Sequence, residues 1–207
     1  MFAATTEEVS ALPPLKFKKG ERIFWKNDAA DAIFRVQEGI VGYRVSSSNG
    51  KEALLALLGP GNLFGDRHLA GIRTRACSAV ALTDCTVQRF EKQAFLCHLS
   101  EDRLAMETFI GQLIERNLEY ESDLCGHLFH SSEDRLRHLL LKLCRLGIRK
   151  GNSVEIPLKI THDMMAQIVG TTRSRVTFFM NKFRREGLIE YGRTLVVHTA
   201  PPAETAL

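Results

Sequence analysis

The stretch that most constrains this chain runs from Thr161 to Ile189, THDMMAQIVGTTRSRVTFFMNKFRREGLI, and it reads as two short helices joined by a tight turn. Thr161 is placed to cap the first helix with its hydroxyl. Met164, Ile168 and Val169 fall on one face of it, and Gly170 supplies the left-handed residue that stops it. Thr172 caps a second helix, in which Val176, Phe179, Met180 and Phe183 recur at i, i+3, i+4 and i+7 and make a single apolar stripe for a core. At about 100° per residue, Ser174, Thr177, Phe178, Asn181 and Arg185 then lie on the opposite side, with Arg173 on the flank. This is the pattern of a DNA-reading helix-turn-helix, and Thr161, Thr172 and Arg175 complete the candidate DNA-binding set. A helical hairpin with a merely solvated outer face would share the same periodicity.

The next residues separate these two readings. Leu188-Ile189, then Glu190-Tyr191-Gly192-Arg193, then Leu195-Val196-Val197 read as two short strands about a Gly turn, the wing of a winged helix. In the run from Ile160 through Gln167-Ile168-Val169-Gly170, Arg173, Leu188-Ile189 and Val196-Val197, the sequence resembles the cyclic-AMP receptor and FNR superfamily of bacterial transcription factors. The resemblance implies an α+β chain with an N-terminal cyclic-nucleotide-binding-type β-roll, a long dimerisation helix and a C-terminal winged helix-turn-helix.

Charge points the same way. The chain carries 28 Lys and Arg against 24 Asp and Glu, but from Ser131 onward the count is 13 against 7, which leaves 15 against 17 before it. The positive charge sits with the hairpin, where phosphate neutralisation and counterion release give affinity for double-stranded DNA. Met1 to Ser10 has no positive n-region and no apolar h-region, and no run approaches the roughly 18 apolar residues of a membrane span. A cytoplasmic protein with no membrane partner is expected. The cysteines, Cys77, Cys85, Cys97, Cys125 and Cys144, are odd in number and contain no C-x-x-C pair, which argues against a disulfide framework.

From about Phe17 to Phe90, short apolar runs alternate with turn residues, the pattern of an antiparallel roll. Lys19-Gly20, Asn27-Asp28, Glu38-Gly39, Asn49-Gly50 and Gly59-Pro60-Gly61 separate the strands Ile23–Trp25, Ile33–Val36, Val41–Val45 and Ala53–Leu57, with Asn49-Gly50 the strongest hairpin signal. The Gly59-x-Gly61-x-x-x-Gly65 run has the wrong spacing for a dinucleotide loop. This half resembles the superfamily's cyclic-nucleotide-binding roll in Lys19-Gly20-Glu21, Phe34-Arg35-Val36, Glu38-Gly39, Gly50-Lys51-Glu52 and Gly61-Asn62-Leu63-Phe64-Gly65-Asp66.

In ligand-binding relatives, a Gly-Glu pair, an Arg-Ser pair and two hydroxyl residues on a later helix hold cyclic AMP. Carried over, Gly65 matches, Asp66 stands for the Glu, Arg75 matches the phosphate-pairing Arg, Ala76 stands for the Ser, and Tyr120 and Glu121 take the adenine-contacting positions. Asp66 is one methylene shorter, Ala76 offers no hydroxyl, and neither Tyr120 nor Glu121 copies a small hydroxyl, so tight cyclic-AMP binding is not expected. Three readings stay open: another effector in the roll, cyclic-di-GMP as that effector, or a constitutive DNA binder with a purely structural roll. In the last, Arg75 pairs with Asp66 or a neighbouring carbonyl. No cofactor is assigned. An iron–sulfur sensor lacks thiolates before Cys77, and His68, the candidate nearest to a haem-ligating position, reads as a solvated loop residue. Cys77 and Cys85 alternate with apolar residues and read as buried, inert thiols.

Arg103 to Phe129 reads as one helix, with Ile110, Leu113, Asn117, Tyr120, Leu124 and Leu128 at mixed spacings of 3 and 4. The resemblance makes it a two-fold dimer seam. His130-Ser131-Ser132 follows as a hinge, Ser131 and Ser132 can cap the next helix, Leu136, Leu139, Leu140 and Leu143 form its buried face, and Gly147 to Gly151 ends it. The expected domains are therefore 1–102 (roll), 103–130 (dimerisation helix and hinge) and 131–207 (winged helix-turn-helix). The expected function is a homodimeric regulator on a palindromic site, with RNA polymerase as a further partner. No nucleophile-base pair or metal-spaced cluster supports an enzyme.

Overall fold

In a computed structural model, residues 12–46, 52–192 and 194–198 are described. The segment Met1 to Ser10, the Asn49-Gly50 hairpin signal, the Gly50-Lys51 part of the roll resemblance, the tail beyond His198 and Arg193 of the wing turn lie outside the described residues. The chain divides into two compact units, 1–121 and 122–207.

The first unit contains β1 (Leu15–Phe17), β2 (Arg22–Phe24), β3 (Ala32–Glu38), β4 (Val41–Ser46), β5 (Glu52–Leu58), β6 (Leu63–Phe64), a 3-10 turn (Asp66–Ala70), β7 (Ser78–Ala81), β8 (Cys85–Glu91), α1 (Lys92–Glu101) and the greater part of α2 (Arg103–Phe129). Its strands form two antiparallel four-stranded sheets, ordered β1-β8-β3-β6 and β2-β7-β4-β5. The apolar run of β3 is continuous because both of its faces are covered. Ala32, Phe34 and Val36 join Phe24, Val41, Tyr43, Phe64 and Ala79 in the core between the sheets. Ile33, pointing the other way, packs with Phe90 against Phe95 and Leu99 of α1 and Phe109 of α2. Cys77 and Cys85 are buried thiols, as their alternation predicts, and burial pushes the Cys77 pKa up.

Of the residues expected along the α2 seam, Leu113 and Tyr120 are turned partly inward. Leu113 packs on the roll with Ala105 and Met106, and Tyr120 is half-buried, whereas Ile110, Ile114, Leu118, Leu124 and Leu128 are exposed. Ile110, Ile114, Asn117, Glu121, Leu124 and Leu128 are exposed at continuous heptad spacing, with polar Asn117 and Glu121 interrupting the apolar positions. Spacings of 3 and 4 both continue a helical stripe, and only the roll core shows which choice at Leu113 or Ile114 faces outward.

The second unit takes the end of α2, then α3 (Ser132–Arg145), β9 (Ile148–Lys150), β10 (Ser153–Ile156), α4 (His162–Val169), α5 (Arg173–Arg185), β11 (Ile189–Tyr191) and β12 (Leu195–His198). The Ser131 hydroxyl accepts from the Asp134 N–H at 3.2 Å, and Leu136, Leu139, Leu140 and Leu143 are buried where α3 lies against α4, α5 and β10. The wing strands β11 and β12 belong to a larger sheet, ordered β11-β12-β10-β9. The β9–β10 hairpin stands where sequence predicts only a helix end, because strands of three and four residues are too short to declare a period. Among the described residues no helix is long and apolar enough to cross a membrane.

Candidate nucleic-acid interface and effector site

The helix-turn-helix is built from its caps inward. The Thr161 hydroxyl accepts from the Met164 N–H at 3.2 Å and starts α4, which stops at Gly170 with φ 68° and ψ 49°. Thr172 accepts from the Arg175 N–H at 3.4 Å and starts α5. The buried face of α4 is Met165, Ala166 and Val169, so the expected face is corrected by one position: Met164 and Ile168 are only half-buried at its edges. On α5 the stripe is as the spacing predicts, with Val176, Phe179, Met180 and Phe183 all buried.

Opposite that stripe, Ser174, Phe178, Asn181 and Arg185 are exposed, as are Arg173 and Arg175 on its flanks. Phe178 is 61% exposed, its ring edge-on to Phe179 at 5.6 Å, so it is not tucked beneath the wing. Arg173 has Asp163 at 3.7 Å, but both side chains are largely in water, and such a pair is weak enough to yield to a better partner. The Ser174 hydroxyl is 3.1 Å from that of Thr172. Thr177 differs from expectation: it is half-buried, and its hydroxyl donates to the Arg173 carbonyl at 3.0 Å and lies 2.8 Å from Nδ1 of His162. The other ring nitrogen of His162 meets the Tyr191 hydroxyl at 3.0 Å. One imidazole therefore joins α4, α5 and the wing strand β11. Desolvation pushes the Tyr191 pKa up to about 12, with Arg184 opposing, so its hydroxyl keeps its proton at neutral pH. Sequence reasoning missed His162 and Tyr191. Their signal was a His directly after a helix cap and an aromatic at the wing turn, which a motif search does not pair. Lys182 is drawn from the surface to Glu133 of α3, at 2.7 Å.

In the roll, Gly65 has φ 76°, and an added Cβ would stand 2.8 Å from Nη1 of Arg75. Both constraints demand glycine. The Gly65 N–H donates to the Tyr43 hydroxyl at 2.7 Å, and its carbonyl accepts from Nη1 of Arg75 at 2.8 Å, with Nδ1 of His68 at 3.0 Å. Burial pushes the Tyr43 pKa well up, so the phenol stays neutral. Arg75 is 5% exposed. It donates through Nη2 to the Ala32 carbonyl at 2.8 Å, reaches the Asp31 carboxylate at 3.4 Å and lies 4.4 Å from the centroid of the Phe24 ring. Burial lowers its pKa, and Asp31 opposes the shift.

Asp66 is not the partner of Arg75, as one expectation had it. Its carboxylate is held instead by Arg116 of α2 at 2.6 Å, with a second contact at 3.4 Å; the two side chains are 10% and 24% exposed. Burial works against the charge of Arg116, but Asp66 outweighs it and the pKa is raised. Arg116 went unread in the sequence, although it lies one helical turn before Tyr120 on the same face. Tyr120 is half-buried, Glu121 accepts from Asn117 at 2.8 Å, and Ala76 is exposed. His68 is corrected outright: it is 4% exposed, folded under by the 3-10 turn, with Nε2 lacking a partner among the described residues. Arg75 and Asp66, the cationic and acidic candidates of the effector site, are both engaged within the chain.

Comparison with known proteins places both halves. Residues 14–102 match the family model of the cyclic nucleotide-binding domain, and residues 134–201 that of the Crp-like helix-turn-helix domain. The cyclic AMP receptor protein of Thermus thermophilus is 30% identical over 177 residues, covering 85% of this chain and 79% of that protein. Among solved structures, the c-di-GMP responsive global regulator CLP of Xanthomonas campestris superposes with a TM-score of 0.75 at 21% identity, over 93% of this chain and 97% of that one. FixK2 of Bradyrhizobium japonicum superposes with a TM-score of 0.77 at 18% identity, over 92% and 94%.

Proposed function

Because the chain belongs to the cyclic-AMP receptor and FNR family of DNA-binding transcription regulators, we propose that it works as a homodimer that sets two copies of α5 into successive major grooves of a two-fold-symmetric site. The observation that carries this reading is the outer face of α5, where Arg173, Ser174, Arg175, Phe178, Asn181 and Arg185 stand exposed behind a fully buried stripe. Arg173 makes the bidentate contact to guanine O6 and N7, Phe178 meets a thymine methyl, and Arg175 and Arg185 hold backbone phosphates. Thr161 and Thr172 act chiefly as caps, and Thr177 acts through His162. The heptad face of α2 pairs with its two-fold mate. The regulator acts in the cytoplasm with RNA polymerase as its further partner, and no catalytic step belongs to it.

Selecting preferred sites from random DNA tests this. The wild type is expected to return a two-fold-symmetric motif, and Phe178→Ala the same motif without the thymine preference at one symmetric pair of positions. Since Phe178 is mostly in water, its removal is expected to change stability by no more than about 0.5 kcal/mol. An unchanged motif from the variant would remove Phe178 from base reading, and an asymmetric wild-type motif would remove the dimer.

A second reading, a regulator that binds DNA without any effector, is favoured by the Asp66–Arg116 pair and by the intramolecular bonds of Arg75. Thermal melting separates the cases, because a ligand at 100 times its Kd adds about 2.7 kcal/mol to stability. Cyclic AMP is expected to leave the midpoint unchanged. Cyclic-di-GMP, to which the Xanthomonas regulator is responsive, is the second ligand of the same experiment, and a shift with it alone would select it as the effector.

A further inference from the structure

Two helix C-termini in the second unit converge on one side chain. The last carbonyls of a helix lack intrahelical donors and carry partial negative charge. Arg135, in the first turn of α3, donates Nε to the carbonyl of Val169, the last residue of α4, and Nη1 to the carbonyl of His130, just past α2; both distances are 2.9 Å. Val169 directly precedes Gly170, where the chain turns to launch α5. A single guanidinium thus spans from the end of α2 to the turn of the helix-turn-helix, and its planar fork presents Nε and Nη1 to the two carbonyls in one rigid geometry, which the single nitrogen of a lysine does not reproduce.

Neighbouring contacts reinforce the junction. The His127 ring lies against Gly170, with Cε1 3.0 Å from where a Cβ would stand. Gly126 is buried, and Cγ of Arg135 is 3.9 Å from its corresponding position. Lys142 of α3 donates to Asp123 of α2 at 2.5 Å. The expected hinge at His130-Ser131-Ser132 is therefore bridged, and the compact unit that holds the winged helix begins at Ser122, within α2 and ahead of that hinge.

We infer that Arg135 is a positioning residue for DNA recognition: it locks the helix-turn-helix onto the last turns of α2, so that α2 itself sets the half-site spacing the dimer accepts. The inference rests on the homodimer reading above. Loss of Arg135 leaves the base-reading face of α5 unchanged and relaxes the distance between two such faces.

The test uses full-length wild type, Arg135→Lys and Arg135→Met, competed over duplexes in which the two selected half-sites are separated by spacers changed one base pair at a time. The wild type prefers one spacing. Both variants keep the half-site sequence, while their preference for that spacing over its neighbours falls about tenfold, the worth of a charge-assisted hydrogen bond. Equal loss of affinity at every spacing, with the preference intact, overturns the inference and marks Arg135 as merely structural. A wild type indifferent to spacing overturns the homodimer reading itself, and this inference with it. Where neither Arg135 variant folds, Asp123→Asn combined with Lys142→Met loosens the same junction from the surface; a weaker spacing preference supports the inference and an unchanged one overturns it.

Discussion

DNA affinity is expected to fall about a thousandfold or more between 50 and 200 mM salt, the drop set by roughly 6–10 phosphate contacts per dimer. The C-terminal portion from Ser131 carries 13 basic against 7 acidic residues, and Arg173, Arg175, Arg184 and Arg185 on α5 are all exposed. Neutralising phosphates with Arg175, Arg185 and the other basic groups of this portion releases condensed counterions, and added salt reverses that gain. Lys182 contributes less, because Glu133 already holds it. Removing one phosphate contact per chain with Arg175→Ala is expected to reduce the slope of log K against log salt by about 2 for the dimer, with the sequence preference kept. A titration over that salt range checks both. An affinity flat in salt would show that the basic face is not the binding surface.

How far the sequence disclosed this surface depends on the range of each interaction. The stripes of α3 and α5, the caps at Ser131, Thr161 and Thr172, and the bounds of α2 are legible because period and capping are local. Partners distant in sequence are not. Nothing near Asp66 announces Arg116, fifty positions on, and nothing near His162 announces Tyr191. His68 reads as a loop residue because only the folded roll shows that a 3-10 turn carries it inward. The phase of the α2 stripe is hidden for a related reason: it is decided by which residues the roll core takes. For the effector, resemblance names Asp66, Arg75 and Tyr120 as candidates, but whether such groups face a ligand or are held within the chain is a matter of tertiary contacts.

Arg75→Met is expected to destabilise the protein by about 3–5 kcal/mol, because two charge-assisted bonds to buried carbonyls are lost and the Ala32 oxygen is left without that donor. For a unit of this size the melting midpoint falls by more than about 10 °C. Gly65 keeps His68 near its carbonyl, but the contact of the guanidinium with the Phe24 ring also disappears. Arg75→Lys is expected to recover only part of the loss, since its single nitrogen cannot stand at both the Nη1 and Nη2 positions. An arginine kept for a ligand's phosphate, with no partners inside the protein, would behave in the opposite way, because its removal would relieve a buried charge. Denaturant unfolding of the ligand-free protein separates the two: a loss under about 1 kcal/mol would reassign Arg75 to ligand binding.

The central claim, that two chains read two half-sites in phase, is tested most directly by inserting half a helical turn between the half-sites of the selected duplex. About five added base pairs rotate one half-site to the far side of the DNA. Two chains per duplex are expected on the original site, and the insertion is expected to lower affinity toward that for random sequence, while a full turn restores part of it. One chain per duplex, or equal affinity with and without the half-turn insertion, would contradict the account.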